Sequence, residues 1–235
     1  MEQNTKQVAA AYDQFGKWYH KYRKSKNFFN SKIDMPAVLS FLKNVKGKKI
    51  IDIGCGSGLY TKILRKRGAK MCGMDISKTL LEIAKKENPG VDFQLASIHK
   101  IPFKKNTFDI AISALMLDYV KDWDSAFKEV RRVLKPNGIY IFSLGNPLLE
   151  CREKIKFGSK VYRILGYTSG SHSHVFGDYF KERWQETMWK TEEGESKMAF
   201  KTHHKTYDTI INTILRNGFT IEGYKDAKPI PSGKK

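Results

Sequence analysis

The stretch Lys48-Lys49-Ile50-Ile51-Asp52-Ile53-Gly54-Cys55-Gly56-Ser57-Gly58-Leu59 decides the fold. A short apolar run ends in an acid and then in three alternate glycines, which reads as a buried strand, a tight turn and the start of a helix. Glycine at alternate positions removes side chains where a ligand could approach the backbone. The spacing is G-x-G-x-G, and Leu59 stands near where a dinucleotide fingerprint puts its third glycine, which weakens a nicotinamide or flavin reading. No Lys-Ser or Lys-Thr pair follows the turn, so the phosphate-cradling loop of nucleoside triphosphatases is excluded.

Downstream, Lys70-Met71-Cys72-Gly73-Met74-Asp75 is a second apolar strand ending in an acid, with Ile76-Ser77 opening another helix. An acid at that tip is where a doubly wound fold accepts hydrogen bonds from ribose hydroxyls. Ile101-Pro102-Phe103 then follows a third strand, Phe108-Asp109-Ile110-Ala111-Ile112-Ser113 is a fourth, and Val130 to Gly138 leads into a fifth. The pattern predicts strands near 49–53, 70–75, 91–96, 108–113 and 138–144 and helices near 58–67, 77–87 and 123–134. Such alternation argues for a parallel sheet covered on both faces, and right-handed crossovers put the glycine turn and Asp75 at one carboxyl edge.

With these residues in their order and spacing, the chain resembles the class I S-adenosylmethionine-dependent methyltransferases, in particular the small single-domain group (methyltransferase type 11) that includes ubiquinone-biosynthesis-like enzymes. The resemblance implies a Rossmann-like, doubly wound α/β fold with a mostly parallel sheet, N-terminal helices and a cap insertion after the fifth strand. It implies S-adenosylmethionine as cofactor, with Gly54, Cys55, Gly56 and Gly58 bringing backbone to it and Asp52 supporting the turn or the cofactor's amino group. Asp75 would take the ribose hydroxyls and Ile76 the adenine face. Ser97 stands where the family usually has an acid beside the adenine amine, so its hydroxyl and the Ile98 amide would replace that contact. Ala114, Leu115 and Tyr119 would lead from the fourth strand toward the sulfonium, and Tyr12 and Tyr19 fit the family segment that folds over the cofactor. His204-Lys205-Thr206 lies where related sequences carry a "His-Arg-Thr" segment before the last long helix, which makes His204 the preferred catalytic residue; His172, His174 and His203 are the other histidine candidates for a base, with Tyr179 and Tyr207 as polar aromatics.

Residues 5–24 read as a helix with Val8, Tyr12, Phe15 and Tyr19 on one side, and a second helix starts near Asp34-Met35-Pro36 with the acid as N-cap. After residue 145 the βαβ rhythm stops. Residues 146–204 read as a substrate cap with a hairpin of Arg183 to Lys190 and Lys197 to His203 about a polar Thr191 to Glu195 turn. The chain then returns to a helix near 206–217, stopped by Asn217-Gly218, and a strand at 219–224. One domain is expected over 1–235: helices in 1–46, the cofactor-binding core in 47–145, the cap in 146–204, and the closing helix and strand in 205–235. Two prolines, a glycine and terminal lysines after residue 227 argue against a seventh central strand, leaving an edge that a homodimer would cover.

The chain has 235 residues and is 40% hydrophobic, enough for one buried core. The N-terminus lacks signal-peptide patterning and no apolar run reaches membrane-spanning length, which points to a cytoplasmic protein without a membrane span. Three cysteines without ligand spacing imply neither a disulfide framework nor a metal site. The net charge of +19 is carried mainly by scattered lysines, so it reads as solvated surface rather than a nucleic-acid footprint. The leading expectation is methyl transfer to a small-molecule acceptor. The alternatives are an RNA or protein methyltransferase, motivated by the charge, and a non-catalytic cofactor-binding protein.

Overall fold

The run Ile50-Ile51 offers water nothing on either face, so it belongs at the centre of a covered sheet. The computed structural model describes residues 3–25, 29–150, 153–157, 160–164, 166–169, 172–175, 179–190 and 197–228. Helix α1 is Gln3–Ser25 and α2 is Met35–Phe41. Then strand and helix alternate: β1 Lys49–Ile53, α3 Leu59–Lys66, β2 Lys70–Asp75, α4 Lys78–Glu87, β3 Asp92–Leu95, β4 Phe108–Ala114, α5 Trp123–Val133 and β5 Leu134–Ser143. The five strands pair in parallel in the order β3-β2-β1-β4-β5. Ile51 therefore faces Cys72 on one side and Ala111 on the other. The order reverses between β1 and β4, where the connecting helices diverge to opposite faces and leave a crevice at the carboxyl ends.

Each helix is fixed by an apolar stripe and a local stop. In α5, Trp123, Phe127, Val130 and Val133 recur every three or four residues and are all buried, each contributing about 1.5–3 kcal/mol. Asp122 caps it by accepting from the Ser125 amide at 3.0 Å. At the start of α4, Ser77 Oγ accepts from the Leu80 amide and donates to Asp13 at 2.7 Å. Asp13 also accepts from the Thr79 amide at 3.1 Å, so one acid of α1 ties that helix to the N-terminus of α4, directly after Asp75. Gly16 permits the approach, since a Cβ there would lie 3.0 Å from the Thr79 methyl.

The chain after β5 carries α6 (Pro147–Glu150) and three antiparallel pairs: β6 Glu153–Phe157 with β7 Lys160–Ile164, β8 Gly166–Ser169 with β9 His172–Val175, and β10 Arg183–Lys190 with β11 Lys197–His204. The last is the hairpin expected from sequence, in register from Arg183 opposite His204 to Lys190 opposite Lys197. Its Thr191 to Glu195 turn lies outside the described residues. Sequence patterning gave no strands to 153–175. Phe200 of β11 is buried against Tyr12 and Tyr119, with ring centroids 6.1 and 5.4 Å away, which brings this hairpin onto α1. Helix α7, Tyr207–Arg216, closes the described fold, capped by Thr206.

Three expectations are corrected. Residues 219–224 form no strand: the Phe219 amide is taken by the helix stop, bonding Ile214 O at 3.2 Å, and its ring packs on Phe127 and Tyr140 over the sheet face. Asp34 occupies the N-cap position of α2 but caps nothing, because a π-helical turn over Phe29–Asp34 gives it helical backbone. Its carboxylate accepts from Tyr60 Oη at 2.8 Å instead. Strand β5 begins at Leu134 rather than near 138, with a register shift between Phe108 and Ile110 that absorbs the Lys135-Pro136-Asn137 turn chemistry. Among the described residues the main sheet has five strands; 229–235 lie outside them.

Candidate active site

Tyr12, Tyr19, Asp52, Gly54, Cys55, Gly56, Asp75, Ile76, Ser97, Ile98, Ala114, Leu115 and Tyr119, thirteen sequence-predicted positions, line one cleft at the carboxyl edge. Its floor is the glycine turn, held down by Gly54 and Cys55 amides that both donate to Met74 O, at 2.8 and 3.0 Å. The three glycines do different work. Gly54 has φ 71°, and a Cβ there would lie 2.9 Å from Met116 Cβ, so it serves packing as well as the turn. Gly58, with φ 77°, does not line the cleft; a Cβ would lie 2.6 Å from Asn88 Nδ2, so its glycine seats the turn on α4. Gly56, with φ 54°, has nothing within 4 Å of where its Cβ would be, so the missing side chain leaves a cradle open to the cleft.

Two acids sit beside this cradle. Asp75 Oδ2 accepts from the Gly56 amide at 2.8 Å and Oδ1 from the Ser77 amide at 2.9 Å, which aims the carboxylate across the glycine turn. Burial raises its pKa, opposed by those amides. Asp52 is buried too and accepts from Thr61 Oγ1 at 2.8 Å; desolvation pushes it up to about 7. Cys55 is a buried free thiol pushed well above its ordinary value by burial, so it is a filler of the turn and not a nucleophile.

The opposite wall is aromatic. Tyr12 and Tyr119 hydroxyls meet at 2.9 Å, the Tyr12 ring stands edge-on to Tyr19 at 5.2 Å, and burial raises the pKa of both Tyr12 and Tyr119. Leu115 adopts φ 53°, unusual for a residue with a Cβ, and its amide bonds Ser143 O at 3.1 Å. This turn swings Leu115 and Met116 from the end of β4 to the cleft.

His204 is not among the lining residues. It is fully buried, with Nε2 2.8 Å from Tyr179 O, where it fastens the end of β11 to the chain entering β10. Tyr179 Oη in turn accepts from the Tyr207 amide at 2.7 Å, so Tyr179 joins the hairpin to α7. His203 also lies off the cleft, against Lys205 Nζ at 3.0 Å, and burial and Lys205 lower it to about 4. His172 and His174 fall on β9. His99 is half-buried and lines the cleft. Sequence reasoning passed over Arg23, which also lines the cleft, because it fell in a lysine-rich run without a motif.

The geometry defines a doubly wound fold with a site for a nucleoside at its switch point: an acid at the tip of β2, an open glycine cradle and anionic groups suited to a cationic ligand. Residues 51–142 match the methyltransferase domain family. The chain is 29% identical to an uncharacterized protein of Haemophilus influenzae over 222 residues, 89% of this chain and 82% of that one. It is 35% identical to the ubiquinone biosynthesis O-methyltransferase of Pelagibacter ubique over 128 residues, 53% of this chain and 50% of that enzyme. The chain thus spans about half the length of such curated enzymes. The crystal structure of an S-adenosylmethionine dependent methyltransferase from Mesorhizobium loti superposes with a TM-score of 0.64 at 27% identity, covering 81% of this chain and 82% of that one. Residues 51–142 thus match a methyltransferase domain, the fold is shared with S-adenosylmethionine-dependent methyltransferases, and S-adenosylmethionine is the cofactor these likenesses indicate.

The cradle gives a direct check. Gly56→Ala should keep the fold, since its methyl enters open space and only the left-handed backbone costs about 1–2 kcal/mol. Cofactor affinity measured by calorimetry should nonetheless fall about tenfold or more, because the methyl occupies the approach to the backbone. Unchanged affinity in a folded variant would remove Gly56 from the site.

Proposed function

We propose that this chain transfers the methyl group of S-adenosylmethionine to a small-molecule acceptor held between the glycine turn and the aromatic wall. The cofactor supplies an electrophilic methyl carbon on a sulfonium. In this reading Asp75 accepts from the ribose hydroxyls, Ile76, Ser97 and Ile98 border the adenine, and Gly54 and Gly56 admit the cofactor to the backbone. Asp52 holds the amino group, while Leu115, Tyr119, Tyr12 and Tyr19 border the reacting end. Displacement at a methyl carbon needs in-line positioning and exclusion of water more than it needs a base, and buried aromatic side chains serve both. His204 has no part in that step, since its ring is spent on the Tyr179 carbonyl.

The observation that carries the small-molecule reading is the character of the lining: aromatic and aliphatic on one wall, with Arg23 the one Lys or Arg among the lining residues. No lysine is among the described residues that line the cleft, whereas an RNA acceptor calls for basic groups leading to it. The test is radiolabelled S-adenosylmethionine offered with extracted small metabolites, total RNA and total protein as separate acceptor pools. Label should enter the small-molecule pool, as expected also from the ubiquinone biosynthesis O-methyltransferases among the relatives. Label entering RNA or protein alone would overturn the reading.

A further inference from the structure

The sheet has a second hollow at its opposite end. Lys48 precedes β1 and Asp109 lies at the start of β4, and both line a cavity of about 870 Å³ at the amino edge, whereas the cofactor cleft lies at the carboxyl edge. The length of β1 separates the two: from Lys48 to Gly54 the chain advances about 3.3 Å per residue, or about 20 Å. The end of α2, the loop after it, the start of β5 and Tyr224-Lys225 complete the walls. Leu42, Val45 and Ile110 form a buried apolar floor, while Phe41, Ile139 and Tyr224 stand 46%, 46% and 70% exposed around it. Three large apolar side chains left in water about one hollow mark an interaction site, unlike apolar residues scattered singly over a surface.

The polar rim is one-signed. Lys43, Lys48, Lys135 and Lys225 stand against one acid, Asp109, among the described lining residues, a net charge of +3 beside the apolar floor. That acid is committed: it accepts from the Lys49 amide at 2.7 Å and from Lys135 Nζ at 2.8 Å. Lys225 Nζ donates to Ser40 Oγ at 3.2 Å, which fixes the Tyr224-Lys225 wall to α2. A second copy of this chain is a poor occupant, since each copy carries +19. The 229–235 stretch is poor for the same reason, with two lysines and no acid. RNA fits less well than protein, because the described lining holds no arginine and its floor is aliphatic instead of a stacking platform. We propose that this hollow is a docking groove for an acidic protein partner, whose apolar side chains enter between Phe41, Ile139 and Tyr224 while flanking Asp or Glu side chains meet Lys43 and Lys48. Seated at the far edge of the sheet, such a partner leaves the cofactor cleft open.

The test titrates the full chain at physiological salt into a fluorescein-labelled peptide of about 12 residues, read by fluorescence anisotropy. In this probe glutamate pairs alternate with single leucines and phenylalanines; two comparison peptides carry glutamine for every glutamate or serine for every apolar residue. The parent should bind the acidic, apolar probe about tenfold or more tighter than either comparison peptide. Lys43→Glu with Lys48→Glu should lower that affinity about tenfold, and Tyr224→Ser about three- to tenfold. The same charge change at Lys85→Glu with Lys86→Glu, exposed in the last turn of α4, should leave it within about twofold. Melting curves establish that the variants are folded. A parent that binds the probe weakly, or binds all three peptides alike, overturns the groove. So does an α4 pair that costs as much as the groove pair, which would reduce the binding to general attraction toward a basic chain. An oligouridylate of similar length that binds tighter than the probe, and is weakened by the groove pair alone, would give the hollow to RNA and overturn the protein partner.

Discussion

Asp75→Ala should bind S-adenosylmethionine about 100- to 10,000-fold more weakly than the parent chain. The carboxylate is proposed to accept two ribose hydroxyls, and hydrogen bonds to a charged group contribute about 1.5–3 kcal/mol each, so about 3–6 kcal/mol is at stake. The same oxygens also hold the Gly56 and Ser77 amides, at 2.8 and 2.9 Å, so the substitution loosens the glycine turn as well as removing the acceptor. Asp75→Asn separates these contributions, because it keeps one oxygen of similar shape and loses the charge; its affinity should lie between the two. Thermal melting establishes that each variant is folded, and calorimetry reads the affinity. A folded Asp75→Ala that binds within a few-fold of the parent would remove Asp75 from the ribose site.

That prediction was available from sequence because the residues that build the cofactor half are forced by backbone geometry. A strand with no polar face, a glycine turn and an acid at the next strand tip leave signals at fixed positions, and the structure brings Asp52, Gly56 and Asp75 together as those signals imply. The hairpin of Arg183 to His204 was legible for a similar reason, since two runs of alternating residues flank a polar turn. Gly58 was misjudged because glycine looks alike whether it makes room for a ligand or for Asn88. His204 was misjudged because a motif near a helix start does not say which way a ring points, and here it turns to a main-chain carbonyl. Asp13 was invisible for a further reason: its partners, Ser77 and Thr79, lie at the start of α4, far along the chain, and no local spacing encodes them. The strand expected at 219–224 failed because Phe219 could satisfy its apolar ring on the sheet face without joining the sheet.

Asp52 should make stability and cofactor binding respond to pH in opposite directions. Its ordinary value is 3.8 and burial lifts it to about 7 in the folded chain. A carboxyl whose folded value is raised favours the folded state while it is protonated. Its contribution is fully present below the unfolded value near 4 and is lost as the pH rises through about 7. Between pH 5 and pH 8 that loss is about 2–3 kcal/mol, which for a chain of this length is a fall in Tm of about 5–10 °C. Asp52→Asn stays neutral throughout, so its Tm should exceed the parent's at pH 8 by more than it does at pH 5. Binding runs the other way. S-adenosylmethionine carries positive charge at its sulfonium and amino group, so the ionised form of Asp52 is the binding form, and parent affinity should climb as the pH rises from 5 to 7. In Asp52→Asn the climb should vanish and affinity at pH 8 should drop by about 10- to 100-fold, the worth of a charged hydrogen bond. Melting curves and calorimetric titrations at pH 5, 6, 7 and 8 on both proteins read the two trends together. A parent whose affinity is flat over that range, while Asp52→Asn still gains stability at pH 8, would leave Asp52 as a buried acid that strains the fold without touching the cofactor.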